Sequence, residues 1–335
     1  MKYRIFGYGF VLFCFLLITS SCDNNGEPVP ESQKHASNIN SIISSDAKLG
    51  KVTVGYEFDT AGSPLYMDGD IYFTNNNFDE PEKSRVIKMD ASGSFQVLRK
   101  NNGVTTTLQH SGKGTLYCCE MLGHRVIEMD RHGTVLRVVC GKYKGTRIDG
   151  PNDIVVDRKG GIYFTDSQFI AGQKKMQETT AVYYVKPDGA VNRVIDDIEF
   201  PNGVMLSPDE NTLYVANTKG KFVLAYDVQS DGTVNNGRNF AELQLSREIK
   251  DMGSMESGAD GMAVDSAGNI FVATTKGIGI QVFSSKGEHL GNIPCDAATN
   301  NCNFGGEDMK TLFVSAKDGI YKIPVKIPGL KMPKG

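Results

Sequence analysis

The chain has 335 residues, with 36 basic and 39 acidic side chains, a formal charge of −3, an apolar fraction of 40% and no tryptophan. That balance, without a basic block or interleaved aromatic and basic residues, argues against nucleic acid as a partner. The apolar fraction suffices for a folded core, and repeats along most of the length argue for one closed unit rather than two domains.

In chain order, residues 1–21 read as an export signal. Lys2 and Arg4 precede an apolar run from Ile5 to Ile18, and the small residues Thr19, Ser20 and Ser21 lead to Cys22. The run is too short to span a bilayer comfortably. Small residues directly before a cysteine resemble a bacterial lipobox, with Thr19 standing where leucine is commonest. The resemblance implies that Cys22 is diacylated and becomes the new N-terminus. Residues 22–47, polar and containing Pro and Ser, then read as a tether. The expected location is the bacterial cell envelope, periplasm or outer membrane, with the membrane reached only through the lipid anchor.

From residue 48 to 329 the chain reads as all-β, a six-bladed β-propeller, followed by a tail at 330–335. Six short apolar strands follow turns: Ile71–Thr74, Leu116–Cys119, Ile162–Thr165, Leu213–Ala216, Ile270–Ala273 and Leu312–Ser315. Their second residues recur after 45, 46, 51, 57 and 42 positions, near the length of a propeller blade. Each is expected to be innermost in its blade or adjacent to the innermost strand. Behind each comes another alternating segment, beginning at Arg85, Arg125, Ala181, Phe222, Gly279 and Gly319. Lys51–Phe58 is expected to complete the last blade and close the ring, because an open sheet edge invites aggregation.

Beyond Cys14 and Cys22 there are five cysteines, so at least one thiol stays free. Cys295 and Cys302 flank a short polar loop and are the candidate disulfide. Neither a C-x-x-C spacing nor a paired-histidine spacing among His110, His124, His132 and His289 supports a zinc site of Cys or His. No G-x-S-x-G elbow supports a serine hydrolase mechanism.

Chemistry is expected from three similar turns that each enter a strand: Gly150-Pro151-Asn152-Asp153, Phe200-Pro201-Asn202-Gly203 and Gly258-Ala259-Asp260-Gly261. Asn and Asp cap turns by themselves. Three at equivalent repeat positions, each offering an oxygen, point to a site for a hard cation at one end of the channel.

The segment from Tyr143 to Asp166, with Pro201-Asn202-Gly203, Ser207-Pro208-Asp209-Glu210, Asp260-Gly261-Met262 and Phe304-Gly305-Gly306 in the same order, resembles the gluconolactonase/SMP-30 family of propellers. The resemblance runs from about Val52 to Val325. It implies hydrolysis of a sugar lactone by a divalent cation that polarises the ring carbonyl. Ca2+ is the first expectation, ahead of Mg2+, Mn2+ and Zn2+. It further implies that Asn202 and Asp260 are metal ligands, Asp260 also the general base, and that Asn152 serves metal and substrate. Arg147, in the matched block, is a candidate for substrate binding.

One departure stands out. The family's first ligand, a Glu before the first blade, falls on Gly62, or on Ala61 if the gap is placed differently. Glu120 and Asp166 are the candidate substitutes, with Met121 standing at a family histidine beside Glu120. The alternatives to lactone hydrolysis are a propeller that binds a carbohydrate or protein without catalysis, and a metal-dependent hydrolase of altered specificity.

Overall fold

The computed structural model describes residues 38–167, 174–245, 256–275 and 278–331. Cys22, the export signal and the first part of the tether lie outside the described residues. Among the described residues the chain is almost wholly β-strand, arranged as the expected six-bladed propeller.

Each blade is an antiparallel sheet of four strands. Six strands pack against one another around the axis: Ala61–Met67, Thr105–His110, Pro151–Val156, Pro201–Leu206, Ala259–Val264 and Thr299–Gly305. The strands expected to be innermost or adjacent are the second in their blades: Asp70–Asn75, Leu116–Glu120, Ile162–Asp166, Thr212–Asn217, Ile270–Thr274 and Thr311–Ala316. The physical reason is flanking. A second strand has sheet on both edges and a blade on both faces, so Leu116–Glu120, Ile162–Asp166 and Ile270–Thr274 are buried at every residue. The innermost strand keeps polar residues where it meets the channel.

Outer strands carry the opposite signature, as in Phe95–Lys100, which has no fully buried residue. The sixth blade borrows its outer strand from the start of the fold: Gly50–Lys51 pairs antiparallel with Gly319–Pro324. Closure therefore comes from the first residues of the expected segment and one residue before it. The described end of the tether also joins the fold. Ile42 and Ile43 are buried against the sixth blade, and Lys326 N–H donates to the Ile42 carbonyl at 2.7 Å.

Aspartates set several tight turns between strands. The Oδ1 of Asp90, Asp130, Asp157 and Asp265 each accepts backbone N–H groups two and four residues on, at 2.7–3.0 Å. The core lies between blades, where large side chains such as Phe73, Tyr163, Phe164, Tyr183 and Phe271 are fully buried. Each such side chain contributes on the order of 1.5–3 kcal/mol relative to exposure.

All five described cysteines are free and buried. Cys295 and Cys302 are not joined. Cys302 lies in an innermost strand with its thiol toward the Phe271 carbonyl at 3.6 Å, whereas Cys295 follows the outer strand His289–Ile293. The loop that joins them crosses the blade from rim to axis, so short sequence separation does not bring the sulfurs together.

Candidate active site at the upper mouth of the channel

Every innermost strand carries a β-bulge near its start, at the upper mouth of the channel. In the third blade Asn152 and Asp153 together face Thr165; in the fourth, Asn202 and Gly203 face Ala216; in the fifth, Asp260 and Gly261 face Ala273. A bulge leaves one residue unpaired and re-aims its side chain. This is why the three turn motifs deliver polar groups to one place. Threonine hydroxyls fix neighbouring bulges together: Thr106 donates to the Asn152 carbonyl at 2.7 Å, Thr165 to that of Asn202 at 2.7 Å and Thr218 to that of Ala259 at 2.6 Å.

Asn152, Asn202 and Asp260 form one chain of contacts. The Asn152 amide donates to Asn202 Oδ1 at 2.8 Å, and the Asn202 side chain lies near enough to the Asp260 carboxyl to favour its charged form. Asn202 is buried and also donates to Thr218 Oγ1 at 3.0 Å; Asn152 and Asp260 are half-buried. Burial, and then the charge of Asp153, push the Asp260 carboxyl up to about 8, only partly offset by the Gly261 N–H and Asn202.

Asp153 is a site residue to which the sequence reading gave no role. It is buried, and its Oδ2 accepts the Val204 N–H of the next blade at 3.0 Å. Side-chain bonds from Thr107 and Asn301 also reach it, so it ties the second, third, fourth and sixth blades at the axis. Burial raises its carboxyl to about 6 against those hydrogen bonds. A signal was available: at the bulge position where the fourth and fifth blades have Gly203 and Gly261, the third has an aspartate. A side chain at Gly261 would collide with Asn301, and one at Gly203 with the Asp260 backbone. Asp153 is the one aspartate among these three equivalent bulge positions.

Neither candidate substitute ligand is free for the mouth. Glu120 is buried with Oε1 2.7 Å from Arg99 and Oε2 2.6 Å from Arg125, an ion triad that joins the second blade to the outer strand of the first. Asp166 accepts the backbone N–H groups of Asp149 and Gly150 at 2.9 and 2.5 Å. Glu120 ties its blade to the preceding one and Asp166 holds the turn that enters its own blade. Arg147 is exposed on the short hairpin Lys142–Tyr143/Thr146–Arg147, and among the described residues no bond joins it to the Asn152–Asn202–Asp260 chain.

In the first blade the bulge holds Ser63 and Pro64, and the Ser63 hydroxyl accepts the Leu108 N–H at 2.7 Å. Gly62 precedes them. A Cβ at this position would lie 2.6 Å from Thr74 Oγ1 and 3.3 Å from Asn76 Nδ2. The space that a longer side chain would need at 62 is filled from the neighbouring strand.

The remaining oxygens suit a hard cation. Asp260 has no lysine or arginine ion-pair partner among the described residues, and a cation bound there would favour its charged form; Asn202 lies beside it and Asn152 is bonded to Asn202. No cluster of three His, Cys, Asp or Glu groups able to hold a metal ion occurs among the described residues, so the set is rich in amide and poor in charge.

The chain is thus a six-bladed propeller whose polar bulges converge at one mouth. The chain matches the SMP-30/Gluconolactonase/LRE-like region over residues 61–318 and belongs to that family. It is 25% identical to a gluconolactonase of Zymomonas mobilis over 335 residues, covering 91% of this chain and 89% of that protein. Among solved structures it is similar to a gluconolactonase from Xanthomonas campestris, with TM-score 0.73 and 26% identity over 86% of this chain and 92% of that one. A calcium-binding regucalcin from Agrobacterium tumefaciens shares the fold, with TM-score 0.67 and 19% identity over 85% and 96%.

Proposed function

We propose that the protein hydrolyses a sugar lactone or related cyclic ester at the upper mouth, with Asp260 as the general base. The observation that carries this reading is the convergence of Asn152, Asn202 and Asp260, with Asn152 bonded to Asn202 and Asn202 beside the Asp260 carboxyl, in a member of the SMP-30/gluconolactonase family. Asp260 takes a proton from water as the oxygen attacks the ring carbonyl. The acyl C–O bond then breaks, and the protonated Asp260 returns the proton to the leaving ring oxygen, giving the open hydroxy acid. Asn202 holds the Asp260 carboxylate in place, and the Asn152 amide offers a donor to substrate oxygen.

A divalent cation, Ca2+ first, is proposed on the oxygens of Asn202, Asp260 and Asn152, where it would polarise the carbonyl and acidify water. Arg147 is proposed to contact substrate from its hairpin. Export and lipid anchoring at Cys22 in the cell envelope complete the proposal. A propeller that binds a carbohydrate or protein without turnover is the second reading, favoured by the glycine at position 62. Lactone hydrolysis measured with and without chelator separates the two.

A further inference from the structure

At the lower mouth, where the innermost strands end, the channel opens into a cavity of about 530 Å3. Its wall includes Leu65, Met67, Val155, Met205, Phe304 and Leu330. The last comes from the segment after the sixth blade, held there by Ser266 N–H to the Pro328 carbonyl at 2.8 Å and Gly329 N–H to the Met309 carbonyl at 2.9 Å. Val155 and Met205 lie three residues beyond Asn152 and Asn202 on the same strands, about 10 Å along the channel at strand rise. Asp153 and the Asn301 side chain stand between the two ends.

One part of this wall is polar and unengaged. His110 Nδ1 accepts the Gly112 N–H at 2.8 Å, so the neutral ring carries its proton on Nε2; burial also lowers its basicity. Gln109 Oε1 accepts the His110 N–H at 3.0 Å, leaving its amide nitrogen as a donor. Among the described residues neither His110 Nε2 nor the Gln109 amide nitrogen has a protein partner, and both residues line the cavity. The rim carries no surplus charge. Arg131 pairs with Asp68 at 2.5 Å and Arg158 with Glu210 at 3.6 Å, while Glu307 and Lys331 add one charge of each sign. A volume in this range, apolar walls and a few convergent donors are what a small-molecule pocket requires. Methionines in the wall let it adapt to shape.

We propose that the lower cavity is a second small-molecule site, taking an uncharged apolar compound whose carbonyl oxygen accepts from Gln109 and His110. A polyhydroxylated sugar would leave its hydroxyls facing apolar wall, so this ligand class differs from that of the upper mouth.

The test is a fluorescence titration of the whole chain with 6-propionyl-2-(dimethylamino)naphthalene, an uncharged aromatic ketone whose emission reports polarity. The expected result is saturable 1:1 binding with blue-shifted emission. Leu330→Asp, at the chain's end, is expected to weaken it by about tenfold or more, a change of about 1.4 kcal/mol. Met205→Gln is a second wall variant should the first fail to fold. His110→Leu, which keeps the wall apolar but removes a donor, is expected to weaken binding severalfold, and Asp260→Asn to leave it unchanged. No saturable binding, equal binding by both wall variants, indifference to His110→Leu, or loss on Asp260→Asn would each overturn the proposal. The readout is independent of lactone turnover, so its failure and failure of the upper-site reading are distinguishable.

Discussion

Asp153 and Asp260 stand on the innermost strands of adjacent-but-one blades, and the charge of Asp153 is the second-largest influence raising the Asp260 carboxyl, after burial. Neither has a lysine or arginine ion-pair partner among the described residues. The carboxyl groups at the axis are this pair, and Glu120 and Asp166 are engaged elsewhere.

The first prediction concerns pH. Both carboxyls are raised in the fold, to about 6 and about 8, so the native state holds protons that the unfolded chain has released. Their contribution to stability is therefore undiminished below about pH 4 and is lost as pH rises toward 8. In chelator, the melting temperature of Asp260→Asn should exceed that of wild type by a margin that widens from pH 5 to pH 8. Added Ca2+ should raise wild type at pH 8 and leave the variant unmoved. A margin constant with pH would refute the assignment.

For position 62, the obstacle is Thr74. Gly62→Glu alone should cost about 1–3 kcal/mol through overpacking against its hydroxyl. Combined with Thr74→Ala it should recover part of that loss and bind Ca2+ at least about tenfold more tightly than wild type, since added anionic ligands strengthen such sites. Calorimetric titration reads both. Unchanged affinity in a folded double variant would mean that position 62 does not face the cation site.

Glu120 should behave as a structural group. Glu120→Gln weakens two buried charge-assisted bonds, to Arg99 and Arg125, and should lower stability by about 1–3 kcal/mol. Its Ca2+ affinity and lactone turnover should stay within about twofold of wild type, a range that removal of a ligand would exceed. A large loss of affinity without loss of stability would return Glu120 to the ligand set.

The lipid anchor is tested by mass spectrometry of the native N-terminus, which should show a diacylated Cys22. An unmodified terminus at another residue would contradict it.

Much of this was legible in the sequence, and the gaps have physical causes. Blade count followed from the spacing of apolar strands, because each blade must bury the same strand type between two others. The same logic left their radial place open between innermost and adjacent: apolar density picks out Ile162–Asp166, flanked on all sides, over Pro151–Val156, whose upper end is polar. Asn152, Asn202 and Asp260 were visible because one bulge recurs in three blades. The state of Glu120 was not, since its partner Arg99 belongs to the outer strand of the preceding blade and pairing across blades leaves no local pattern. The tether was read as polar throughout, although Ile39, Ile42 and Ile43 carry the helical spacing of a docking stripe.

The central claim is that Asp260 is the base of a lactone hydrolase. The most direct measurement is ring opening of D-glucono-1,5-lactone, followed by proton release, with wild type and Asp260→Asn, each with Ca2+ and with chelator. The account predicts turnover above the spontaneous rate in wild type, lost in chelator and restored by Ca2+. It predicts a drop of about 10²–10⁴-fold in folded Asp260→Asn. Wild-type turnover that survives in Asp260→Asn, or no turnover of any lactone with Ca2+ bound, would contradict it.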